Sequence, residues 1–325
     1  MFSIVLIGMG QLGSRYLQGL VKIEDEIKII AVDPVSQARE VSLERWLEVG
    51  GDKSKHKIEW VSDLNNQKSN INLAIIATTS LGRASLIEDV ALKVNPQYWI
   101  IEKMLAKSSQ DLNLIKIVTK KAKGAWVNIP RRLMTWHQQL KSRFYSQGPL
   151  RVTKTAGLWG MATNAIHFID LVAWWTGESL LSINSEGLDQ KWFESKRLDY
   201  FEVTGELIAK FSGGTELVLR SSYEQTENNS TSTAGELKVE TSKKDIWIIN
   251  EYKNTASSSK GEFLNGLIEY QSELTKPMVA KIILTGTCEL PTISESSEQH
   301  EIFLNTMLDH WNCFKKSNSK EVPIT

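Results

Sequence analysis

Residues Ile4–Leu20 read IVLIGMGQLGSRYLQGL, a strand, a glycine turn and the opening of a helix in immediate succession. Ser3 to Ile7 is a short apolar run rich in β-branched residues, the composition of a parallel strand buried on both faces. Gly8, Gly10 and Gly13 follow at once. At that spacing the first glycine allows a tight turn, the second lets the backbone approach a pyrophosphate, and the third lets the helix pack closely on the strand. The helix holding Leu12, Tyr16 and Leu20 then presents unpaired N–H groups and the positive end of its dipole to the phosphates. A second strand, Glu26 to Val32, ends in Asp33, twenty residues beyond Gly13. A carboxylate there accepts hydrogen bonds from the adenosine ribose hydroxyls and repels a 2′-phosphate, so the stretch predicts a dinucleotide site that takes NAD in preference to NADP.

Working outward, strand and helix patterns alternate. Ser36 to Val49 has helical apolar spacing at Ala38, Val41, Leu43 and Leu47 and stops at Gly50-Gly51. Ile58 to Val61, Asn72 to Ala77, Gln97 to Ile101 and Ala125 to Asn128 read as strands, with helices around Leu86 to Val94 and from Ser108 to Lys123. Six such β-units in alternating order predict an α/β fold with a doubly wound parallel sheet, a Rossmann domain. Ligands bind beyond the carboxyl ends of such strands, so Thr78-Thr79-Ser80 and Glu102-Lys103 should face the cofactor. The plain alternatives are a Ser/Thr helix cap at the first turn and a salt-bridged surface turn at the second. The candidate cofactor-binding residues are therefore Gly8, Met9, Gly10, Gln11, Leu12, Gly13, Asp33, Thr78, Thr79, Glu102 and Lys103.

From Pro130 the pattern changes. Arg131 to Tyr145 reads as a helix with Leu133, Trp136, Leu140 and Phe144 inward, ended by Gly148-Pro149. A strand runs to Trp159, and the pattern over Met161 to Gly177 predicts a helix. Phe201, Val203, Leu207, Ala209 and Phe211 alternate with polar residues, and Ser212-Gly213-Gly214 turns the chain into Glu216 to Arg220. Glu227 to Gly235 is a polar connection. Glu236 to Glu240 and Asp245 to Asn250 are further strands, while Phe263 to Thr275 and Glu298 to Phe314 look helical. These segments predict an α+β domain with a mostly antiparallel open sheet, one face against helices and the other exposed or used between subunits. A chain of 325 residues exceeds the size at which one core keeps growing, and the change of pattern places the domains at 1–128 and 129–325.

Lys plus Arg and Asp plus Glu balance at 38 each, so no overall field recruits nucleic acid or an anionic membrane, and small-molecule partners fit better. Cys288 and Cys313 make no disulfide framework, and with five scattered histidines they offer no metal spacing. The default is a pair of thiols in a reducing cytoplasm. The first apolar run lacks a basic flank and the length of a signal peptide, and no stretch approaches a transmembrane length.

The second informative stretch is Met161–Glu178, MATNAIHFIDLVAWWTGE. His167 and Asp170 are three apart and so share a helix face. A histidine within reach of a carboxylate is held in one tautomer with its charged form supported, which suits a proton acceptor. A capped or core histidine is the alternative. Asn164 is a polar candidate for substrate contact, and Arg131 and Arg132 either pair with an anionic group of the substrate or stand exposed at the opening of a helix.

With the glycine loop, the acidic strand end, Ala77-Thr78, Glu102-Lys103 and the His-x-x-Asp helix in this order, the chain resembles the glucose-fructose oxidoreductase/inositol dehydrogenase/MocA family over nearly its whole length. The resemblance implies hydride transfer between a nicotinamide and a sugar, cyclitol, sugar nucleotide or related carbonyl compound, and an open C-terminal sheet forming a homodimer or homotetramer. It matches Glu102-Lys103 to the family's Glu-Lys-Pro motif, with Lys103 near the nicotinamide and the reacting oxygen. It also matches His167 and Asp170 to the family's histidine and helix carboxylate. Lys103, His167 and Asp170 are thus the candidate catalytic residues, with either Lys103 or His167 as the base, and Lys103, Arg131, Asn164 and His167 the candidate substrate contacts. Met104 departs from the motif's proline, Thr79 from a proline, Arg83 from a frequent histidine, and Thr163 and Ala165 from an aspartate and a glycine. GLWGMATNAIHFID is most similar to members serving bacterial surface-polysaccharide pathways, which favours a nucleotide sugar. The departures also allow a dinucleotide-binding regulator or scaffold without turnover, or a redox-neutral NAD-dependent glycosidase or epimerase.

Overall fold

The strand β1 (Phe2–Ile7) is buried from Ile4 onward because it lies inside a sheet, with β2 (Ile27–Val32) on one side and β4 (Leu73–Ile76) on the other. The computed structural model describes residues 1–67, 70–145, 147–223 and 235–325. With β3 (Lys57–Val61), β5 (Tyr98–Glu102) and β6 (Gly124–Asn128) the order is β3-β2-β1-β4-β5-β6, every neighbouring pair parallel. Unbroken apolar runs such as Leu73–Ile76 are what a sheet covered on both faces requires. The crossovers carry α1 (Gln11–Leu20), α2 (Ser36–Glu48), α3 (Arg83–Val94) and α4 (Ser109–Thr119). The winding reverses between β1 and β4, the place where such sheets open a ligand crevice.

The second unit begins with a 3₁₀ turn at Pro130–Leu133, then α5 (Thr135–Phe144), β7 (Arg151–Ala156) and α6 (Met161–Thr176). Eight further strands follow: β8 (Leu180–Asn184), β9 (Leu188–Glu194), β10 (Phe201–Phe211), β11 (Glu216–Ser221), β12 (Glu236–Glu240), β13 (Ile246–Asn250), β14 (Thr255–Ser258) and β15 (Phe263–Asn265). They form the order β15-β14-β13-β12-β7-β11-β10-β8, with β9 also on β10. The pairings are antiparallel except for β7 with β11. Val203, Leu207, Ala209 and Phe211 of β10 are buried, as their alternation requires, and α6 packs on β10 and β11.

Two helices close the chain, α7 (Gln271–Thr285) and α8 (Ile293–Lys315). The first unit comprises Met1–Ala106, Gln110–Pro130 and Glu269–Glu295, and the second Lys107–Ser109, Arg131–Ile268 and Ser296–Thr325. The division therefore differs from a single cut after Asn128: the chain returns, and α7 lies against α1. Gly19 makes that approach possible, since a Cβ there would stand 2.5 Å from Thr275 Cβ and 2.7 Å from the Ser272 carbonyl oxygen.

Two local expectations are corrected. Phe263–Thr275 is not one helix: Phe263–Asn265 pairs with β14, and the ring of Trp136 fills the space beside Gly266. The helix starts only where the Glu273 carboxylate accepts from the Tyr270 N–H at 2.7 Å. Arg131–Tyr145 is split, because a 3₁₀ turn carries Arg131 and Arg132 into the interior before α5 begins. The strands β8 and β9, both paired with β10, lack a clean alternation and leave no strand signal in the pattern. The polar connection Glu227–Gly235 lies, apart from Gly235, outside the described residues. Among the described residues no helix is long and apolar enough to cross a membrane.

Candidate active site

In the first unit the glycine loop is fixed from below by its own backbone. The Gly8 N–H donates to the Val32 carbonyl at 2.9 Å, with φ of 92° at Gly8, where a side chain would meet the Ala77 carbonyl oxygen at 2.9 Å. A Cβ at Gly13 would stand 1.7 Å from the Gly8 carbonyl oxygen, whereas one at Gly10 meets no atom within 4 Å. Two glycines are thus needed for packing, and the third borders open space. The Ser14 N–H closes the first bond of α1, onto the Gly10 carbonyl at 3.0 Å. The amides of Gln11, Leu12 and Gly13 precede it, and no side chain caps them from Gly10. These residues fit the pyrophosphate of a dinucleotide.

Asp33 is held at the end of β2 by two backbone donors, Met9 N–H to Oδ2 at 2.7 Å and Val35 N–H to Oδ1 at 2.9 Å. Each carboxylate oxygen keeps a further lone pair for ribose hydroxyls. Met9 itself is 2% exposed, with its N–H on Asp33 and its carbonyl receiving Ser42 Oγ at 2.9 Å. Its part in the loop is internal, while the backbone of Gly10 borders open space.

The neighbouring strand ends are tied together by a residue that sequence reasoning did not single out as functional. Arg83, at the start of α3 and 1% exposed, donates to the backbone carbonyls of Thr78 and Met104 and to that of Glu102 at 2.5 Å. One guanidinium fork thereby holds the Thr78-Thr79 turn and the Glu102-Lys103 turn in a fixed relation. Glu102 is not part of a surface turn. It is 4% exposed, and its Oε1 accepts from Tyr16 Oη and from Asn128 Nδ2, each at 2.6 Å. Burial pushes its carboxyl above the ordinary range against those donors and the nearby Arg83 and Lys103 charges. Glu102 therefore braces the turn from inside, while Lys103 next to it is half-buried. Thr79 is exposed, and the Thr78 hydroxyl is buried without a hydrogen-bond partner among the described residues, beside Gly8.

In the second unit His167 stands half-buried on α6. Asp170, expected to support it, has both carboxylate oxygens on Arg132, with Nε to Oδ2 at 2.8 Å and Nη2 to Oδ1 at 2.6 Å. The fork of a guanidinium matches a carboxylate in geometry, and the two side chains are 7% and 0% exposed. Arg131 is likewise not an exposed arginine. Its side chain is 6% exposed, its Nη2 lies 2.9 Å from Glu251 Oε1, and its guanidinium carbon is 4.5 Å from the Phe168 ring centroid. Asn164 donates both amide hydrogens to the turn before its helix, to the carbonyls of Trp159 at 3.1 Å and Gly160 at 3.0 Å. Asp170 and Asn164 thus fix α6, the helix that carries His167, to Arg132 and to the turn before it, while Arg131 pairs with Glu251.

No protein-family model matches the sequence, and no curated protein matches it. Solved structures do. An oxidoreductase from Agrobacterium radiobacter, in complex with NAD+, L-tartaric acid and magnesium, superposes with a TM-score of 0.69 at 14% identity, covering 93% of this chain and 94% of that one. The chain has the fold of the glucose-fructose oxidoreductase/inositol dehydrogenase/MocA oxidoreductases. Within that fold, scyllo-inositol dehydrogenase from Lactobacillus casei, with bound NAD(H) and scyllo-inositol, matches at TM-score 0.64 and 17% identity over 97% of both chains. UDP-N-acetylglucosamine 3-dehydrogenase from Acidithiobacillus ferrooxidans matches at 0.67 and 12%, over 94% of this chain and 96% of that one.

Proposed function

We propose that the chain is an NAD-dependent oxidoreductase acting on a secondary alcohol or ketone of a sugar-like small molecule, in the cytoplasm and as a homo-oligomer through its open sheet. The observation that carries the reading is the glycine loop: Gly8 and Gly13 are filled by packing, Gly10 is open, and Asp33 is fixed on the Met9 N–H at the strand end beside it. The three relatives act on or were solved with sugar-like or hydroxylated ligands, and two of them hold NAD. This supports a polyol or sugar substrate, with a nucleotide sugar as the first class to test.

A bound nicotinamide supplies the hydride acceptor or donor. The chain's own contribution is to bind and to move protons. Gln11 and Leu12 amides bind phosphate, and Asp33 accepts from the adenosine ribose. Lys103 hydrogen-bonds the reacting oxygen and stabilises negative charge as it develops, and His167 takes the hydroxyl proton. Asp170 acts through Arg132, keeping α6 and therefore His167 in place.

Thermal unfolding with NAD, NADH, NADP and NADPH in turn tests the reading. Ligand at about a hundred times its dissociation constant adds roughly 2.7 kcal/mol, a rise of several degrees. A rise with NAD and NADH alone is the expected result. No rise with any of the four removes the dehydrogenase reading.

A further inference from the structure

The helix α2 turns one stripe of residues toward the glycine loop. Arg39, Ser42 and Arg45, spaced by three, reach in order the Asp33 carbonyl, the Met9 carbonyl and the first turn of α1. Arg45 differs from the other two, because its targets are side chains of the loop helix: Nη1 donates to Ser14 Oγ at 2.8 Å and to Gln11 Oε1 at 3.1 Å. Its backbone is pinned as well, the carbonyl accepting from Gln18 Nε2 at 3.2 Å.

A cation beside the first turn of a helix opposes the helix dipole. Neither α1 nor α2 has an acidic residue in its first turn, and Gly10 brings no side chain. Among the described residues no carboxylate forms an ion pair with Arg45. The side of the loop at Gly10 is open. A guanidinium with no carboxylate of its own and a row of amides unpaired among the described residues, on the loop whose Asp33 is already taken up by the Met9 N–H, match an oxygen-rich dianion.

We propose that Arg45 is a binding residue for the cofactor's pyrophosphate, joining the Gln11 and Leu12 amides from the α2 side. Ser14 and Gln11 hold the guanidinium in position before the ligand arrives. The inference rests on the dinucleotide reading and adds a residue to it that no glycine motif contains.

The test titrates wild type, Arg45→Met and Arg15→Met with NADH, ADP and adenosine, followed by calorimetry. Arg15 is an exposed cation on α1 that donates to Gln18 Oε1 at 2.9 Å, and it serves as the control for general charge. Arg45→Met should weaken NADH and ADP about tenfold, leave adenosine unchanged and flatten the salt dependence, with Arg15→Met at wild-type values. Unaltered ADP affinity in Arg45→Met overturns the proposal, as does an equal loss for adenosine, which would make Arg45 a prop of the loop. Should Arg45→Met not fold, Arg45→Lys keeps the charge without the fork and should lose part of the ADP affinity with adenosine unaltered. Wild type that binds none of the three ligands fails the dinucleotide reading itself, and is thereby told apart.

Discussion

In the parallel-sheet unit the buried carboxylate of Glu102 accepts from Tyr16 and Asn128 at 2.6 Å each, whereas in the antiparallel-sheet unit the buried ammonium of Lys154 has no hydrogen-bond partner among the described residues. Lys154 points from the middle of β7 into the core, 4.7 Å from the Phe168 ring centroid and 5.2 Å from that of Trp159. Arg131 approaches the same Phe168 ring, and Glu251 pairs with Arg131. Burial lowers the His137 imidazole and keeps it neutral beside them. Burial drives the Glu251 carboxyl up, but Arg131, His137 and Lys154 outweigh it and hold it ionised. This cluster therefore encloses two cations and one anion. Aromatic faces and one shared carboxylate do not replace water for Lys154, and burial pulls its ammonium down to about 8. Glu102 stands where α1, β5 and β6 converge, so donors from separate elements reach it; Lys154 stands between the buried apolar Val152 and Ala156 on its face of β7, and the one carboxylate near it, Glu251, pairs with Arg131. A buried charge with several donors fixes geometry, and one without them mainly costs stability.

Removing the largest partnered charge should have the largest effect. Arg83→Met leaves the Thr78, Glu102 and Met104 carbonyls without their donor, and urea unfolding should show a loss of about 3–5 kcal/mol. The NADH-induced rise in midpoint should fall with it. If stability is retained, the two turns are held by something else and the contrast between the units fails.

Lys154→Met should act with the opposite sign. A lysine whose folded value is about 8 against an ordinary 10.5 contributes stability above its unfolded value, lost as pH falls through about 8. At pH 7 the wild type therefore carries a cost, and the variant should be more stable by roughly 2–3 kcal/mol. The gain should shrink as pH is raised from about 8 toward 10.5. A variant less stable than wild type at pH 7 would show that the aromatic faces compensate the ammonium after all.

Tyr16→Phe is the finest probe. It removes one of two donors to Glu102 and should cost about 1–2 kcal/mol at pH 7. Glu102 titrates above the ordinary carboxylate range because of burial, so its favourable contribution is present at low pH and lost as pH rises through that raised value. Without the phenol the value rises further, and the difference between variant and wild type should narrow as the carboxyl is protonated. A difference constant from pH 4 to pH 8 would place the effect in packing alone.

The parallel sheet was legible because its signals are local: Ile4 to Gly13 contains strand, turn and helix start, and Asp33 closes the next strand. The same holds for β10, whose alternation repeats five times. What escaped was long-range. Arg83 looks like any arginine at a helix start, and the backbone carbonyls it reaches, those of Thr78, Glu102, Met104 and Leu105, leave no trace in residue types. The spacing of His167 and Asp170 predicts a local pair, and what it leaves out is Arg132, thirty-eight positions before Asp170, whose two-pronged geometry on that carboxylate no short-range rule anticipates. Arg45 escaped for the same reason, because its meaning depends on α1 lying beside it. Phe263 to Thr275 misled in another way, since apolar spacing alone does not tell an edge strand followed by a capped helix from one continuous helix.

Gly19 gives the return of α7 a meaning in the order of synthesis. When residues 1–130 have left the ribosome, all six parallel strands exist, yet the helix that will lie on Gly19 has not been translated. The flank of α1 stays uncovered until translation passes Thr285. A message cut short after the sixth strand thus yields a nearly complete parallel-sheet unit with one helix flank open to chaperones and proteases, and a gene fusion that borrows only the first 130 codons would inherit the same exposed seam.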